Sequence, residues 1–284
     1  MALTVAVIIP TFNRWPTVCR AIDSVLSQSR VPDEIIVVDD GSNDHTACKL
    51  KARYDGQITV LEQTNRGVSA ARNIGIAQSS ADWVALLDSD DEWLSKKLAM
   101  QIALVRENHN CVLCHTDEIW IRNGVRVNPM LKHKKYGGDV FQHSLSMCVI
   151  SPSSALIRKS LIEQLGGFDE SLPACEDYDL WLRVCANHEV HYVSQPLLIK
   201  YGGHEDQLSR KYWGMDRFRI QALRKLLDQQ SLQANKRRQA HEMLGKKTQI
   251  LLNGAVKHGN DSLVKECQTM ISQYGLLTTE TRPC

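Results

Sequence analysis

Alternating apolar and polar segments divide the first two-fifths of the chain into predicted strands and helices. The predicted strands are runs of β-branched and apolar residues at positions 5–9, 34–38, 58–61 and 83–87. A helix is predicted after Pro16, where apolar residues repeat at helical spacing, and another at positions 67–77. Strands that are apolar on both faces and alternate with amphipathic helices predict a largely parallel sheet covered on both sides.

The pattern loosens after residue 108 and changes again after residue 207. Short strands are predicted at 112–115, 118–121, 154–157, 190–193 and 197–201, with a helix at 176–186. Three helical stretches follow at 215–229, 234–253 and 261–274, without any strand pattern. We therefore predict an α/β domain at residues 1–207 and an α-helical C-terminal extension at residues 208–284.

Composition narrows the class of protein. The content of 43% hydrophobic and 23% charged residues is typical of a soluble globular protein, and a formal net charge of +2 argues against a nucleic-acid partner. Nine cysteines at irregular spacings argue against a disulfide framework and favour the reducing cytoplasm. The apolar N-terminus lacks the basic residues of a signal peptide, and no run approaches the roughly 20 apolar residues of a membrane helix.

Three carboxylates follow the fourth predicted strand, in the segment Leu-Leu-Asp-Ser-Asp-Asp at residues 86–91. In extended chain Asp88 and Asp90 point to the same side, about 6–7 Å apart. Such a cluster at a sheet edge repels itself unless a cation neutralises it, and Mg²⁺ and Mn²⁺ prefer oxygen ligands of this kind. The alternative is a solvated acidic turn in which Asp91 caps the next helix.

Other polar residues fall on the same predicted edge. Asn13 follows the first strand, and Asp39 and Asp40 close the second, where a carboxylate can accept hydrogen bonds from a nucleobase or a ribose. The alternative for the second strand is a turn followed by a helix N-cap. Arg72, in the next predicted helix, either binds a phosphate or ribose at this edge or is only solvated.

Four motifs occur in order along the chain: Val-Ile-Ile-Pro-Thr-Phe-Asn at 7–13, Val-Val-Asp-Asp-Gly-Ser at 37–42, Asn-Arg-Gly-Val-Ser-Ala-Ala-Arg-Asn at 65–73, and Leu-Leu-Asp-Ser-Asp-Asp at 86–91. Together they closely resemble the family 2 glycosyltransferases of the GT-A fold, over roughly residues 3–205. The order and spacing of four motifs make the match specific, although each motif alone is weak. The resemblance implies a Rossmann-like mixed sheet that binds a nucleotide-diphosphate sugar.

The resemblance also implies roles for individual residues. Asp40, together with Asp39, would lie by the nucleobase, Asp88 would approach the ribose, and Asp90 would bind the metal. The other implied nucleotide-binding residues are Pro10, Thr11, Asn13 and Arg72. His204, in a late glycine-rich loop, would complete the metal or diphosphate site, and the implied cofactor is Mn²⁺ or Mg²⁺.

Residues 166–170 and 175–181 resemble the acceptor side of the same family, whose catalytic base corresponds here to Asp177. The chemistry agrees, because a carboxylate beside an acceptor hydroxyl can take its proton as the oxygen attacks. With base and leaving group on opposite faces of the sugar, one displacement inverts the anomeric carbon. The alternative for Glu176 and Asp177 is favourable negative charge at a helix N-terminus, and both can hold at once.

The C-terminal extension is basic, with eleven Lys and Arg against three Asp and Glu between residues 210 and 247. One hypothesis is an amphipathic bundle packed on the catalytic domain, with Phe218, Leu223, Leu226 and Leu227 inside. The other is that its basic face also docks on anionic lipid, which would bring the protein to a lipid-linked acceptor as a peripheral protein of the inner membrane face.

The sequence as a whole predicts an inverting glycosyltransferase that moves a sugar from a nucleotide diphosphate donor, with UDP favoured, to a glycan or lipid-linked acceptor. Bacterial polysaccharide or lipopolysaccharide synthesis for the cell envelope is the expected setting. One alternative, a nucleotidyltransferase, would carry a glycine-rich basic loop after the first strand, where residues 10–13 lack one. The other, a non-catalytic sugar-nucleotide-binding module, would not need Asp88, Asp90 and Asp177 together.

Overall fold

A nine-stranded mixed sheet organises the residues that the structure, a computed structural model, describes: 3–128, 130–203, 212–229 and 232–276. Its strands are β1 (Val5–Thr11), β2 (Glu34–Asp39), β3 (Thr59–Glu62), β4 (Trp83–Leu86), β5 (Glu92–Trp93), β6 (Leu113–Arg122), β7 (Val125–Val127), β8 (Leu156–Arg158) and β9 (His191–Gly202). They lie in the order β3-β2-β1-β4-β8-β6-β9-β5, and β7 pairs with β6.

Ten α-helices occur within the same described ranges. They are α1 (Trp15–Leu26), α2 (Thr46–Arg53), α3 (Val68–Gln78), α4 (Lys97–Glu107), α5 (Phe141–Ser146), α6 (Lys159–Gln164), α7 (Glu176–Cys185), α8 (Asp216–Leu227), α9 (Ala234–Lys257) and α10 (Asp261–Tyr274). The strands and the helix predicted between residues 34 and 87 are confirmed, with ends that differ by at most one residue.

The half of the sheet built from β1 to β4 is parallel, as the sequence predicts. Ile8 of β1 pairs with Ile36 of β2 on one side and with Leu86 of β4 on the other. β8 then runs antiparallel to β4 and to β6, so the whole sheet is mixed. Because β1, β2 and β4 run in the same direction, their carboxyl ends lie side by side at one edge.

Alternate side chains of the parallel strands enter two hydrophobic cores, one on each face. Val7 and Val37 pack in the core that includes residues of α1, α2 and α4. Ile8 and Val38 pack in the other core, which includes residues of α3, α5 and α7. Each such side chain stabilises the fold by about 1.5–3 kcal/mol when fully buried. Because alternate side chains enter the two cores, β1 is apolar at every position from residue 5 to residue 10.

Two strands are longer than predicted, because short irregularities interrupt their patterns. The segments predicted at 112–115 and 118–121 form the single strand β6, and those at 190–193 and 197–201 form β9. The register between the two shifts around Asp117, which lies opposite Pro196, while pairing continues on both sides. The strand predicted at 154–157 begins only at Leu156, since Pro152 opens a short 3-10 turn.

The C-terminal helices share a hydrophobic core with the sheet domain. Leu223, Leu226 and Leu227 of α8 are buried in the same cluster as Trp181 of α7, and Phe218 packs against it. This packing confirms the interior positions predicted for the extension. The boundary predicted between residues 207 and 208 lies outside the described residues, so the division into two domains stays a prediction.

Several basic residues of the extension face the protein interior. Lys225 Nζ lies 2.8 Å from Asp169 Oδ2, and Lys247 Nζ lies 2.9 Å from Asp216 Oδ1. Lys236 Nζ donates to the last backbone oxygen of α7 at 2.9 Å. Lys236 and Lys247 are buried by this packing, whereas Lys225 stays partly exposed. No helix in the described ranges is both long and apolar enough to cross a membrane.

Candidate active site

The turns after β1 and β2 are joined by hydrogen bonds of Asn13. This residue has a left-handed φ of 51°, its N–H donates to Ser42 Oγ at 2.8 Å, and its Oδ1 accepts from Asn43 N at 2.9 Å. Gly41 has φ 80°, and a Cβ there would lie 2.8 Å from the backbone nitrogen of Asn65. Only glycine therefore fits the turn that follows Asp39 and Asp40 at the end of β2.

Asp39 and Asp40 are both buried but have different hydrogen bonds. Asp40 Oδ1 accepts from Gln63 Nε2 at 2.5 Å and from Arg66 N at 2.8 Å, and its Oδ2 accepts from Gly67 N at 2.8 Å. Its carboxylate thus anchors the loop that leads into α3. Asp39 Oδ1 accepts a backbone N–H at 2.9 Å, and no hydrogen bond among the described residues reaches its Oδ2. Asp39 therefore has one carboxylate oxygen without a hydrogen-bond partner among the described residues.

Arg72 joins the acidic turn after β4 to the start of α7. Its Nη2 lies 2.7 Å from Asp88 Oδ1, its Nη1 lies 2.7 Å from Glu176 Oε1, and the residue is only 2% exposed. Burial acts to lower the pKa of Arg72, but the carboxylates of Asp88 and Glu176 outweigh it and raise the pKa. In turn, the positive charges of Arg72 and Lys200 hold the pKa of Asp88 below its usual value, against the effect of burial.

Asp90 and Asp91 follow on the same turn in different environments. Asp90 Oδ2 lies 2.9 Å from Arg14 Nη1. Burial and the neighbouring Asp88 nevertheless raise the pKa of Asp90, because Arg14 compensates them only in part. Asp91 is buried and accepts from Ser153 Oγ at 2.6 Å and from a backbone N–H of β9 at 3.2 Å. Asp91 therefore holds the turn against the sheet. The alternative in which Asp91 caps the next helix is wrong, since α4 begins only at residue 97.

Glu176 and Asp177 are the first two residues of α7, where negative charge interacts favourably with the helix dipole. Asp177 is partly exposed. Its Oδ1 accepts the next backbone N–H at 2.7 Å, and its Oδ2 accepts the thiol of Cys148 at 3.2 Å. Because the Arg72 bridge ties this helix start to the acidic turn, Asp177 and the turn belong to one site.

Lys200, near the end of β9, is a site residue that sequence analysis missed. The carboxylates of Glu118, Asp91 and Asp88 raise its pKa, against the effect of burial. Asp177 acts on the same ammonium group in the same sense. The ammonium group thus interacts with four carboxylates from three segments of the chain. The available signal was a single lysine inside an otherwise apolar strand pattern.

The remaining predicted residues are only partly placed. Pro10 and Thr11 are buried at the end of β1, and Thr11 Oγ1 has no hydrogen-bond partner in the described part of the chain. His204 lies outside the described residues, so its predicted role stays a prediction. Arg14 and Cys148 contact Asp90 and Asp177, and no sequence pattern marked them.

The acidic turn suits a metal that is shared with a ligand. Within the described ranges, no group of three or more His, Cys, Asp or Glu side chains could hold a metal ion alone. Mg²⁺ commonly binds one or two carboxylates and completes its coordination with phosphate oxygens and water. Asp90 fits this role, because burial and, after it, the neighbouring Asp88 raise its pKa, and a bound cation would oppose both effects.

Parallel strands with an acidic carboxyl edge, continued by a mixed half-sheet and an acidic helix start, define the GT-A class of transferase fold. The sequence profile named Glycosyl transferase family 2 matches residues 6–166, more than half of the chain. The chain belongs to this family.

Two relatives show how the similarity is distributed. An uncharacterized glycosyltransferase of Rickettsia bellii (strain RML369-C) is 30% identical over 194 residues, which are 68% of this chain and 28% of the relative. The UDP-Glc:alpha-D-GlcNAc-diphosphoundecaprenol beta-1,3-glucosyltransferase WfgD of Escherichia coli is 30% identical over 191 residues, 67% of this chain and 73% of WfgD. The chain spans only 28% to 32% of the length of three Rickettsia relatives that it matches.

Two solved structures share the fold. S. aureus TarS 1-349 in complex with UDP-GlcNAc superimposes with a TM-score of 0.70 at 21% identity, covering 86% of this chain and 71% of TarS 1-349. The second is the mannosyltransferase PcManGT from Pyrobaculum calidifontis, in complex with GDP-Man and Mn²⁺. It superimposes with a TM-score of 0.60 at 18% identity, covering 95% of this chain and 79% of the PcManGT chain. At these identities the likeness shows the fold alone.

Proposed function

We propose that the chain is an inverting glycosyltransferase that moves a sugar from a UDP-sugar to a hydroxyl of a lipid-linked glycan. The observation that carries the proposal is the Arg72 bridge, which holds the helix start at Asp177 against the acidic turn at Asp88. Membership of glycosyl transferase family 2 favours sugar transfer over nucleotidyl transfer.

The proposed reaction is a single displacement. The acceptor hydroxyl oxygen attacks the anomeric carbon, and the bond between that carbon and the diphosphate oxygen breaks as the nucleoside diphosphate leaves with the electron pair. Asp177 takes the hydroxyl proton. Each of its carboxylate oxygens accepts one protein hydrogen bond, so each keeps a lone pair for that proton. Attack from the face opposite the leaving group inverts the anomeric carbon.

The donor nucleotide is proposed to lie over the carboxyl ends of β1 and β2. Thr11 Oγ1 and Asp39 Oδ2 are polar atoms there without protein partners in the described residues, so they suit the base and ribose. The complex of TarS with UDP-GlcNAc and the UDP-Glc of WfgD support UDP as the carrier. Both terminal nitrogens of Arg72 bind carboxylates, which supports a positioning role for this residue rather than contact with phosphate.

The proposed cofactor is Mn²⁺ or Mg²⁺, with Asp90 as a protein ligand and His204 as a second candidate. The bound ion would neutralise charge that develops on the departing diphosphate. The Mn²⁺ in the PcManGT complex supports this proposal. The environment of Asp90 also supports it, because a divalent cation would stabilise a carboxylate whose pKa is raised by burial and by the neighbouring Asp88.

The acceptor is proposed to be a sugar joined to a lipid through a phosphate or diphosphate. WfgD, whose substrate name contains GlcNAc-diphosphoundecaprenol, supports this class of acceptor. Such an acceptor fits synthesis of a cell-envelope polysaccharide. The cytoplasmic location and the peripheral membrane contact predicted from the sequence stay predictions.

The test of the proposed function uses Asp177→Asn and, as its matched control, Asp55→Asn at an exposed position outside the site. A panel of nucleotide sugars with Mn²⁺ is first screened for thermal stabilisation, because a ligand of the folded state raises its apparent stability. Turnover of the best donor is then measured. Asp177→Asn should lower turnover by about 10²–10⁴-fold and leave donor affinity within about threefold of wild type. Undiminished turnover in Asp177→Asn would show that another group is the base.

A further inference from the structure

A groove of about 580 Å³ lies between α8, α9 and α10, in the C-terminal extension. Its apolar walls include Met215, Leu251 and Ala255. Trp213 and Ile250 also line it, although 62% and 61% of their respective surfaces are exposed. The volume is in the range of small-ligand sites, and large exposed apolar side chains around a cavity mark a binding surface.

Asp216 and Arg219 line the groove, and Lys247 lies beside them, buried behind the wall. Asp216 Oδ1 lies 2.9 Å from Arg219 Nη1 and 2.9 Å from Lys247 Nζ, so one carboxylate serves two cations. The buried Nε of Arg219 has no hydrogen-bond partner in the part of the chain that the structure describes. A ligand that combines an apolar chain with an anionic group complements both features.

The groove adjoins the candidate active site. Met215 is part of its wall, and the backbone oxygen of Met215 accepts from the thiol of Cys175 at 3.9 Å. Cys175 directly precedes Glu176 and Asp177 in the sequence. One wall of the groove therefore contacts the residue before the helix start that carries the candidate base.

We propose that the groove binds the apolar chain of the acceptor, an isoprenoid or alkyl chain joined to the acceptor sugar through a phosphate or diphosphate. Arg219 lies next to the phosphate, and the walls of α8 and α9 contact the chain. This inference rests on the proposed function, because the acceptor sugar has to reach Asp177. It gives the helical extension a role in substrate recognition.

Gly254 provides a sharp test. Gly254 of α9 lines the groove, and a Cβ built on it would have no other atom within 4 Å. Gly254→Trp therefore fills the groove. The matched control is Lys246→Trp, which puts the same side chain at an exposed position of the same helix. The probe is farnesyl diphosphate, titrated calorimetrically into the full chain, with farnesol and inorganic pyrophosphate as partial probes. Circular dichroism checks that each variant is folded.

Farnesyl diphosphate should bind wild type and Lys246→Trp equally, and Gly254→Trp should weaken its binding by about tenfold or more. Farnesol should bind about fivefold more weakly than farnesyl diphosphate, because it lacks the anionic group. Arg219→Gln should reduce the affinity for farnesyl diphosphate to that for farnesol. If Gly254→Trp does not fold, Arg219→Gln still tests the inference. We expect Arg219→Gln to fold, because Lys247 still pairs with Asp216.

Equal binding of farnesyl diphosphate to wild type and Gly254→Trp, or no binding, would overturn the inference. Binding of UDP with Mn²⁺, measured on the same sample, tests the proposed function separately. If the chain binds farnesyl diphosphate but does not bind UDP with Mn²⁺, the groove is not the acceptor site of a glycosyltransferase. A dimer in sedimentation that Gly254→Trp dissociates would assign the groove to a second copy of the chain.

Discussion

Arg72 Nη1 lies 2.7 Å from Glu176 Oε1, so a buried guanidinium on α3 fixes the start of α7. The same guanidinium holds Asp88 at 2.7 Å through Nη2. Residues from three distant segments therefore have to be in place together before Asp177 and the acidic turn share a site. We expect the integrity of this bridge to govern both stability and function.

Arg72→Met should be less stable than wild type by about 3–5 kcal/mol, because it leaves the buried carboxylate of Glu176 without its cation. Urea unfolding measures the difference. The control is Arg53→Met, which removes an exposed ion pair with Asp23, worth less than about 1 kcal/mol. Equal effects of the two substitutions would mean that the Arg72 bridge contributes little to stability.

Asp90→Asn should remove most of the metal-dependent stabilisation by UDP. In wild type, UDP with Mn²⁺ at about 100 times its Kd stabilises the folded state by about 2.7 kcal/mol, a rise in Tm of roughly 5–10 °C. With the same ligands, Asp90→Asn should show only a small part of that rise in Tm, and Asp55→Asn should show the full rise. Chelation with EDTA should reduce wild type to the level of Asp90→Asn. A full response from Asp90→Asn would exclude Asp90 as a metal ligand.

Cys148→Ala should reduce kcat about fivefold with little change in the KM for the donor. The thiol donates to Asp177 Oδ2 at 3.2 Å and restrains the carboxylate, and a hydrogen bond of this kind is worth about 1 kcal/mol. Cys148→Ser keeps a donor and should recover most of the rate, which a purely packing role would not predict. Steady-state kinetics with donor and acceptor varied separately measures the split.

Lys97 should make the stability of the protein depend on pH above neutrality. Its side chain is fully buried, with Nζ 2.8 Å from Gln101 Oε1, and burial lowers the pKa of Lys97 to about 7. Between that value and its ordinary value of 10.5 the unfolded chain binds the additional proton. Stability should therefore rise with pH across this window and be lost again as the pH falls towards 7.

The variant that checks this dependence is Lys97→Met. It should be about 1–3 kcal/mol more stable than wild type at pH 7, because the cost of the buried amine exceeds the cost of an unpaired Gln101 oxygen. The advantage should shrink by pH 9.5 in urea unfolding. Lys96→Met, at the exposed neighbouring position, should match wild type at both pH values. A constant difference between Lys97→Met and wild type would show that the amine stays charged in the folded state.

Some of the site followed from sequence because it lies at strand ends. Asp39, Asp88 and Asp90 come directly after apolar runs, and parallel pairing of β1, β2 and β4 brings such positions to one edge. The sequence did not predict that Asp39 and Asp40 make different hydrogen bonds. The hydrogen bonds of Asp40 come from the loop before α3, more than twenty residues away, and adjacent aspartates look alike in a sequence.

The second half of the site depended on contacts between segments that are distant in sequence. Lys200 meets its carboxylates only because β9 pairs with β6 in the middle of the mixed half-sheet. The groove of the extension forms only where three helices meet, so the helix pattern predicted α8, α9 and α10 but not the space between them.

The order of apolar and polar residues along the chain determined which segments form strands and which form helices. It also determined the parallel half of the sheet and its acidic edge, because period and strand direction are local properties of the chain. Tertiary structure alone decided which charges meet. Arg72 binds two carboxylates, and Arg14, Lys200 and Cys148 reach the acidic groups, because long-range packing brings them within a few ångströms. Electrostatic and hydrogen-bond interactions act over that short distance, and separation along the sequence does not encode it.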